Sequence, residues 1–309
     1  MEKAVALSKK KKIKDKEKLI FILFCISVPI IQWLIFYVYA NIDSVLMAFR
    51  DSAGKFSLVN FTRFFDEFKM PTSEIRLAFR NTFITFGILV VAYPFKVLVS
   101  YFLYKKVPGS AVYRILFFLP SILFSVCTAM VFTRLVGTTG FIAQGVQRML
   151  HLDYVPELLA DSRFANIVIL INMLWLGFPG DLIIWGGTFA RIPEDVLEAG
   201  KIDGVTWWTE FTKIVVPLVW PTLSLQMILM VCGIFGATGS VFLLTGGGYK
   251  TMTLSVWMYK QVLDNSGNQF TSNVYNYLSA VGVILSVVSV ALSLSIRKFT
   301  DKVFGDVEF

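Results

Sequence analysis

The stretch "PEDVLEAGKIDGVTWWTEFTKIVVP", residues 193–217, is charged and helix-forming, yet its flanks are almost pure hydrocarbon. "IVILINMLWLGFPGDLIIWGG" (167–187) precedes it and "LVWPTLSLQMILMVCGIFGATGSVFLL" (218–244) follows it. Flanks of this length and polarity read as membrane-crossing helices, because about 20 apolar residues cover the hydrocarbon core. The stretch between them is then a water-facing helical hairpin joining two spans.

Working outward, composition and apolar patterning agree with a membrane protein. Of 309 residues, 56% are hydrophobic and 16% charged, against about a quarter charged in a soluble domain. Six windows qualify as spans: 19–40, 82–104, 112–135, 164–187, 217–243 and 277–297. Their apolar runs are continuous rather than alternating, which selects helices over a barrel. The expected fold class is an all-α integral membrane protein with six transmembrane helices. The run at 19–40 is too long for a signal-peptide core, lacks a clean small-x-small cleavage site, and is read as a retained first span. Cys25, Cys127 and Cys232 fall inside apolar runs and read as packing residues rather than disulfide partners or metal ligands.

Charge sets the orientation. Eight lysines and three acids lie in residues 1–18, a basic flank suited to a cytoplasmic, anionic-lipid surface rather than to nucleic acid. With the N-terminus inside, the internal segments 1–18, 105–114, 188–216 and 297–309 carry 17 basic residues and the external ones 11. Both termini are then cytoplasmic. The organisation is a basic segment 1–18, a first span 19–40, an external segment 41–81 folding into short helices around "VNFTRFFDEF", a core 82–297 with five spans, and a tail 298–309.

The hairpin can be read residue by residue. Pro193 suits the first helical position, and Glu194 and Asp195 favour the positive end of the helix dipole. Gly204 can turn left-handed and stop the helix. Thr206 can cap a second helix, which Pro217 would end. Ala199 and Gly200 leave a bare strip for close approach by another protein. A capped interfacial loop with no partner would look similar.

Motifs narrow the choice. "EAGKIDG" followed by "FTKIVVP" resembles the signature loop of ABC-transporter permeases: Glu198, Ala199, Gly200, Asp203 and Gly204, then an apolar residue and Pro217. Gly200 departs from the usual second alanine, and Val205 from the alanine common after that glycine. "RNTF" (80–83) resembles the family's Asn-Thr opening of the transport core, and "YRILFFLPSI" (113–122) its Phe-Arg…Leu-Pro segment. "WLGFPGDLIIWGGTFARIPEDVLEAGKIDG" (175–204) and "LLTGGGY" (243–249) are similar to the carbohydrate-importing branch, the relatives of the maltose transporter's membrane subunits. Tyr249 replaces that branch's proline.

The resemblance implies a division of labour. The chain would form half of a sugar pathway beside a second permease subunit, most naturally as a heterodimer. An extracellular solute-binding protein would deliver a carbohydrate, an oligosaccharide. Cytoplasmic ATPase subunits would receive the loop as a coupling helix and hold the ATP and Mg. No GxxxxGK[ST] motif occurs here, so no cofactor is expected in this chain, and no catalytic or metal site. The expected location is a bacterial plasma (inner) membrane.

Sugar sites pair aromatic faces with hydroxyl-matching polar groups. Candidates are Asn172 and Trp175, three apart and so on one helix face. Asp181, Thr238, Asn276, Tyr277 and Ser279 complete the set. Gly236 and Gly239 stand where sugar permeases often carry larger residues, and can serve packing or widen a cavity. Trp175 can equally be a packing residue. Lys96 and Asp181 lie inside spans, where charge is costly. They keep a rival open, a secondary transporter driven by an ion gradient. A channel would leave the hairpin unexplained. His151 reads as a solvated loop residue.

Overall fold

The computed structural model describes residues 2–236, 239–265 and 271–304. Apart from an isolated bridge between Arg50 and Phe56, its elements are helices. In chain order they are α1 (Glu2–Trp33), α2 (Ala40–Ala48), α3 (Val59–Lys69), α4 (Glu74–Tyr104), α5 (Ser110–Ile122), α6 (Ser125–Val136), α7 (Phe141–Leu150), α8 (Ala165–Phe189), α9 (Glu194–Ile202) and α10 (Trp207–Thr209). Then come α11 (Val216–Cys232), α12 (Gly239–Thr245), α13 (Leu254–Asn265) and α14 (Thr271–Phe304). Six stretches among the described residues are long and apolar enough to cross a membrane.

The helices form two compact units. One comprises Met1–Phe64 with Gly267–Val283, the other Phe65–Ser266 with Ile284–Phe309. In the first unit, α1 joins α2 through a single π-helical turn, Leu34–Tyr39. Over Leu19–Trp33 of α1 nearly every side chain is exposed, among them Phe21 at 67% and Phe24 at 70%. A helix apolar on every side and uncovered on every side suits hydrocarbon, not water. The segment 41–81 does hold short helices, α2 and α3, and the first turns of α4. Asn60 pins the turn before α3, donating its amide to Ala48 O at 3.1 Å and Arg50 O at 2.9 Å.

The second unit is built on α4 and α8. Their contact carries one apolar core of Tyr93, Val97 and Tyr101 against Trp185 and Phe189, closed by Leu197, Phe211, Val215 and Val219 from the hairpin and α11. A second core gathers Phe132 and Val136 of α6, Ala143 of α7, Leu158 and Val168. The two lie at opposite ends of α8, so the hairpin end and the far end of the span are each held by their own cluster.

Two expected spans are broken. The window 112–135 is two helices, α5 and α6, because Leu123 and Phe124 adopt extended backbone (ψ 147° and 139°). Pro120 has already removed one donor from the last turn of α5. Thr128 then donates its hydroxyl to Phe124 O at 3.2 Å across the break. The window 217–243 ends as α11 at Cys232 and continues through a short 3₁₀ turn, Ile234–Gly236, before α12. Glycines at 233 and 236 weaken a continuous helix there. The three cysteines are free and exposed, so they are not core packing residues; Cys232 Sγ lies 3.5 Å from Ser293 Oγ.

Candidate functional site

The hairpin folds around its punctuation. Pro193 (φ −59°, ψ 132°) is the cap residue, one position ahead of the first helical residue where the sequence placed it. Glu194 and Asp195 occupy the first turn of α9 and Lys201 the last, complementing the dipole at both ends. Gly204 takes φ +71°, and Val205 N donates to Gly200 O at 3.0 Å. That bond reaches back five residues and satisfies a carbonyl the ending helix would leave free. Thr206 then caps the second arm, accepting from Thr209 N at 3.3 Å.

Pro217 does not end that arm. The chain runs from α10 through a π-helical turn, Glu210–Val215, directly into α11. At the turn's end Val216 N donates to Phe211 O, five residues back. A proline ring clashes with the carbonyl four residues before it, and widening that turn relieves the clash without a break.

Position 200 is also corrected. Gly200 is buried, and a Cβ there would lie 3.1 Å from Ile214 Cδ1 on the second arm. The glycine therefore closes the hairpin on itself and offers no strip to an outside partner. The outward face of α9 is Glu198, Ala199 and Ile202, with Asp203 beyond it, all exposed. Ile202 is 86% exposed, an apolar knob that the sequence reading passed over. Leu197 on the opposite face is 8% exposed within the α4–α8 core.

The second arm is bonded to α4. Glu210 is 6% exposed; Tyr101 Oη donates to its Oε1 at 2.8 Å, and Lys105 Nζ pairs with the same oxygen. Tyr101, at 1% exposure, is packed between the rings of Phe189 and Phe211. None of these three polar residues stood out in the sequence, because nothing in it links positions 109 residues apart.

Two of the sequence motifs meet in space. Asn81 donates its amide to Lys250 O at 2.7 Å and Met252 O at 2.9 Å, and Thr82 Oγ1 accepts from Leu254 N at 3.0 Å. The start of the transport core thus holds the turn that follows "LLTGGGY". Tyr249 has φ +50° there, which proline cannot adopt, so this turn excludes the residue found in the related motif.

The span candidates fall out as follows. Asn172 is 1% exposed, and its amide nitrogen finds no partner among the described residues. Trp175 is half-buried, its ring 6.2 Å from that of Phe132. Asp181 meets Lys96, with Nζ and Oδ2 2.8 Å apart. Gly177 leaves room for this pair, since a Cβ there would lie 2.7 Å from Lys96 Nζ. Thr238 lies outside the described residues. Asn276 and Tyr277 belong to the other unit: Asn276 donates to Asp51 O at 3.4 Å, and the guanidinium of Arg63 lies 4.2 Å from the Tyr277 ring centre. Ser279, in the same stretch, is half-buried. A cavity of about 290 Å³ beside α4 and α11 has walls of Val, Leu, Met and aromatic side chains, too apolar for a sugar.

No family model matches this chain. It is 24% identical over 282 residues to the multiple sugar-binding transport system permease protein MsmF of Streptococcus mutans, covering 89% of this chain and 93% of that protein. It is 28% identical over 210 residues to the maltose/maltodextrin transport system permease protein MalF of Vibrio parahaemolyticus, covering 64% of this chain but only 39% of that longer protein. Among solved structures, it resembles a chain of a bacterial alginate ABC transporter in complex with alginate pentasaccharide-bound periplasmic protein, with TM-score 0.76, 20% identity, and coverage of 94% of this chain and 97% of that one. At that identity the likeness is one of fold.

Proposed function

We propose that this chain, a membrane permease of the ABC importer type, forms half of the translocation pathway for a carbohydrate and takes its energy from separate ATPase subunits. The observation that carries this reading is the hairpin: its inner face is locked to α4 and α8, while Glu198, Ala199 and Ile202 face outward without cover. With one face of α9 held in the α4–α8 core, the other is left open for a partner to contact.

The remaining parts follow from that. A second permease subunit completes the pathway, and the relatives' names favour a sugar, an oligosaccharide, as cargo. An extracellular solute-binding protein delivers it, in keeping with the periplasmic protein in the alginate complex. The location is a bacterial plasma membrane with both termini in the cytoplasm. ATP and Mg²⁺ belong to the ATPase partner. Within the span, the half-buried face of Trp175 is the sugar-facing group we assign, with Asn172 enclosed one turn away on the same helix face. The rival, an ion-gradient carrier, is not favoured by the relatives, which are named as sugar transport system permeases, nor by the solved neighbour, a chain of an ABC transporter. The direct test is co-purification of this chain with an ATPase subunit from its host membranes, and its loss when the outward face of α9 is changed.

A further inference from the structure

We infer that Glu210 is the residue through which displacement of the hairpin is passed to α4, with Tyr101 and Lys105 as the groups that receive it; this rests on the reading of α9 as the ATPase-facing element.

The observations form one continuous chain of contacts. Force applied to the outward face of α9 reaches the second arm where Gly200 meets Ile214. Ile214 belongs to the π-helical turn that begins at Glu210. Glu210 is bonded to Tyr101 in the last turn of α4 and to Lys105, four residues on, which caps that helix on the same face. Tyr101 is wedged among Phe189, Phe211 and Phe102, so it cannot yield without moving the helix that carries it.

Chemistry makes this link stiff. Glutamate is almost never buried unless paired. Here one carboxylate oxygen accepts both a phenol and an ammonium group, and charge-assisted bonds are roughly twice as strong as neutral ones. The backbone at Glu210 is a π-helical turn, a feature frequent at functional sites. An apolar contact would hold the two elements together yet let them slide. A buried bidirectional clasp holds their register, and coupling between distant sites needs such a physical network.

The test uses the intact transporter, this chain with the permease and ATPase subunits that co-purify with it. Cys25, Cys127 and Cys232 are first replaced by serine. Spin labels are then placed through Val196→Cys on α9 and Val91→Cys on α4, positions 39% and 80% exposed. The distance between them is read before and after trapping with ATP, Mg²⁺ and vanadate. With Glu210 intact the two labels should move as one body, and their distance distribution should stay single and unshifted. Glu210→Gln and Tyr101→Phe should each broaden or shift it on trapping. The exchanged pair Lys105→Glu with Glu210→Lys should restore it, an outcome a role in folding alone would not produce once melting temperatures are matched. Variants that keep the unshifted distance on trapping would overturn the inference while leaving the importer reading intact. Failure of any ATPase to co-purify would instead overturn the importer reading, and this inference with it.

Discussion

Lys96 Nζ and Asp181 Oδ2 lie 2.8 Å apart, joining α4 to α8 within their membrane-spanning lengths. Both side chains are largely covered, at 10% and 17% exposure. Removing one partner of such a pair leaves an uncompensated charge and costs about 3–5 kcal/mol, whereas replacing both with apolar residues of similar volume is close to neutral. Asp181→Asn should therefore lower the melting temperature of the detergent-solubilised chain markedly, and Lys96→Met with Asp181→Leu should recover most of the loss. Gly177→Ala should cost much less than the single variant, because Lys96 Nζ, the far end of a flexible side chain, can shift away from the added methyl.

Ile202 tests the outward face of α9. It is 86% exposed, so Ile202→Asp should leave the unfolding free energy within about 0.5 kcal/mol of the parent, as for other surface changes. Bound ATPase subunit, measured by co-purification, should fall by tenfold or more. Retention at the parental level would move the contact away from α9.

Trp175 distinguishes lining from packing. If its face meets the sugar, Trp175→Ala should reduce uptake about tenfold, the loss of roughly 1.4 kcal/mol of binding, with assembly and basal ATP hydrolysis preserved. If the ring serves mainly to support Phe132, the same change should cost several kcal/mol of stability and assembly should fail first.

Asp161 gives a pH dependence outside the spans. Arg163 bonds its side chain and donates its backbone N–H to it, which holds the carboxyl below its ordinary value of 3.8. A depressed carboxyl contributes stability above its unfolded pKa and loses it as pH falls through the folded one. Asp161→Asn should accordingly lower the melting temperature at pH 7, and its curve should converge with the parent's only in acid, below the ordinary carboxylate range. A constant gap between the two curves down to strong acid would contradict the pairing.

Much of this was legible in the sequence, for reasons that differ by feature. Four of the spans declared themselves by length, while the windows 112–135 and 217–243 hid helix breaks, the third candidate span running instead over Ser125–Leu150; the left-handed Gly204 and the Thr206 cap declared themselves by residue type. What escaped were pairings across long separations. Lys96 and Asp181 were each conspicuous as charges in apolar runs, but their partnership was not. Glu210 looked like one more acid in a charged loop until Tyr101 and Lys105 were brought beside it. Gly200 looked like an opening for a partner, since sequence alone does not say that Ile214 fills the space. Pro217 looked like a terminator, because a π-helical turn that absorbs a proline leaves no signature of residue type.

The central claim is that ATP, hydrolysed by partner subunits, drives a carbohydrate through a pathway this chain half builds. The most direct measurement is uptake into proteoliposomes holding this chain, its partner permease and its ATPase subunits, with the solute-binding protein and its bound sugar outside. Uptake should require ATP on the ATPase side and persist when ionophores collapse every ion gradient. Uptake by this chain alone, driven by a proton gradient without ATP, would contradict the account.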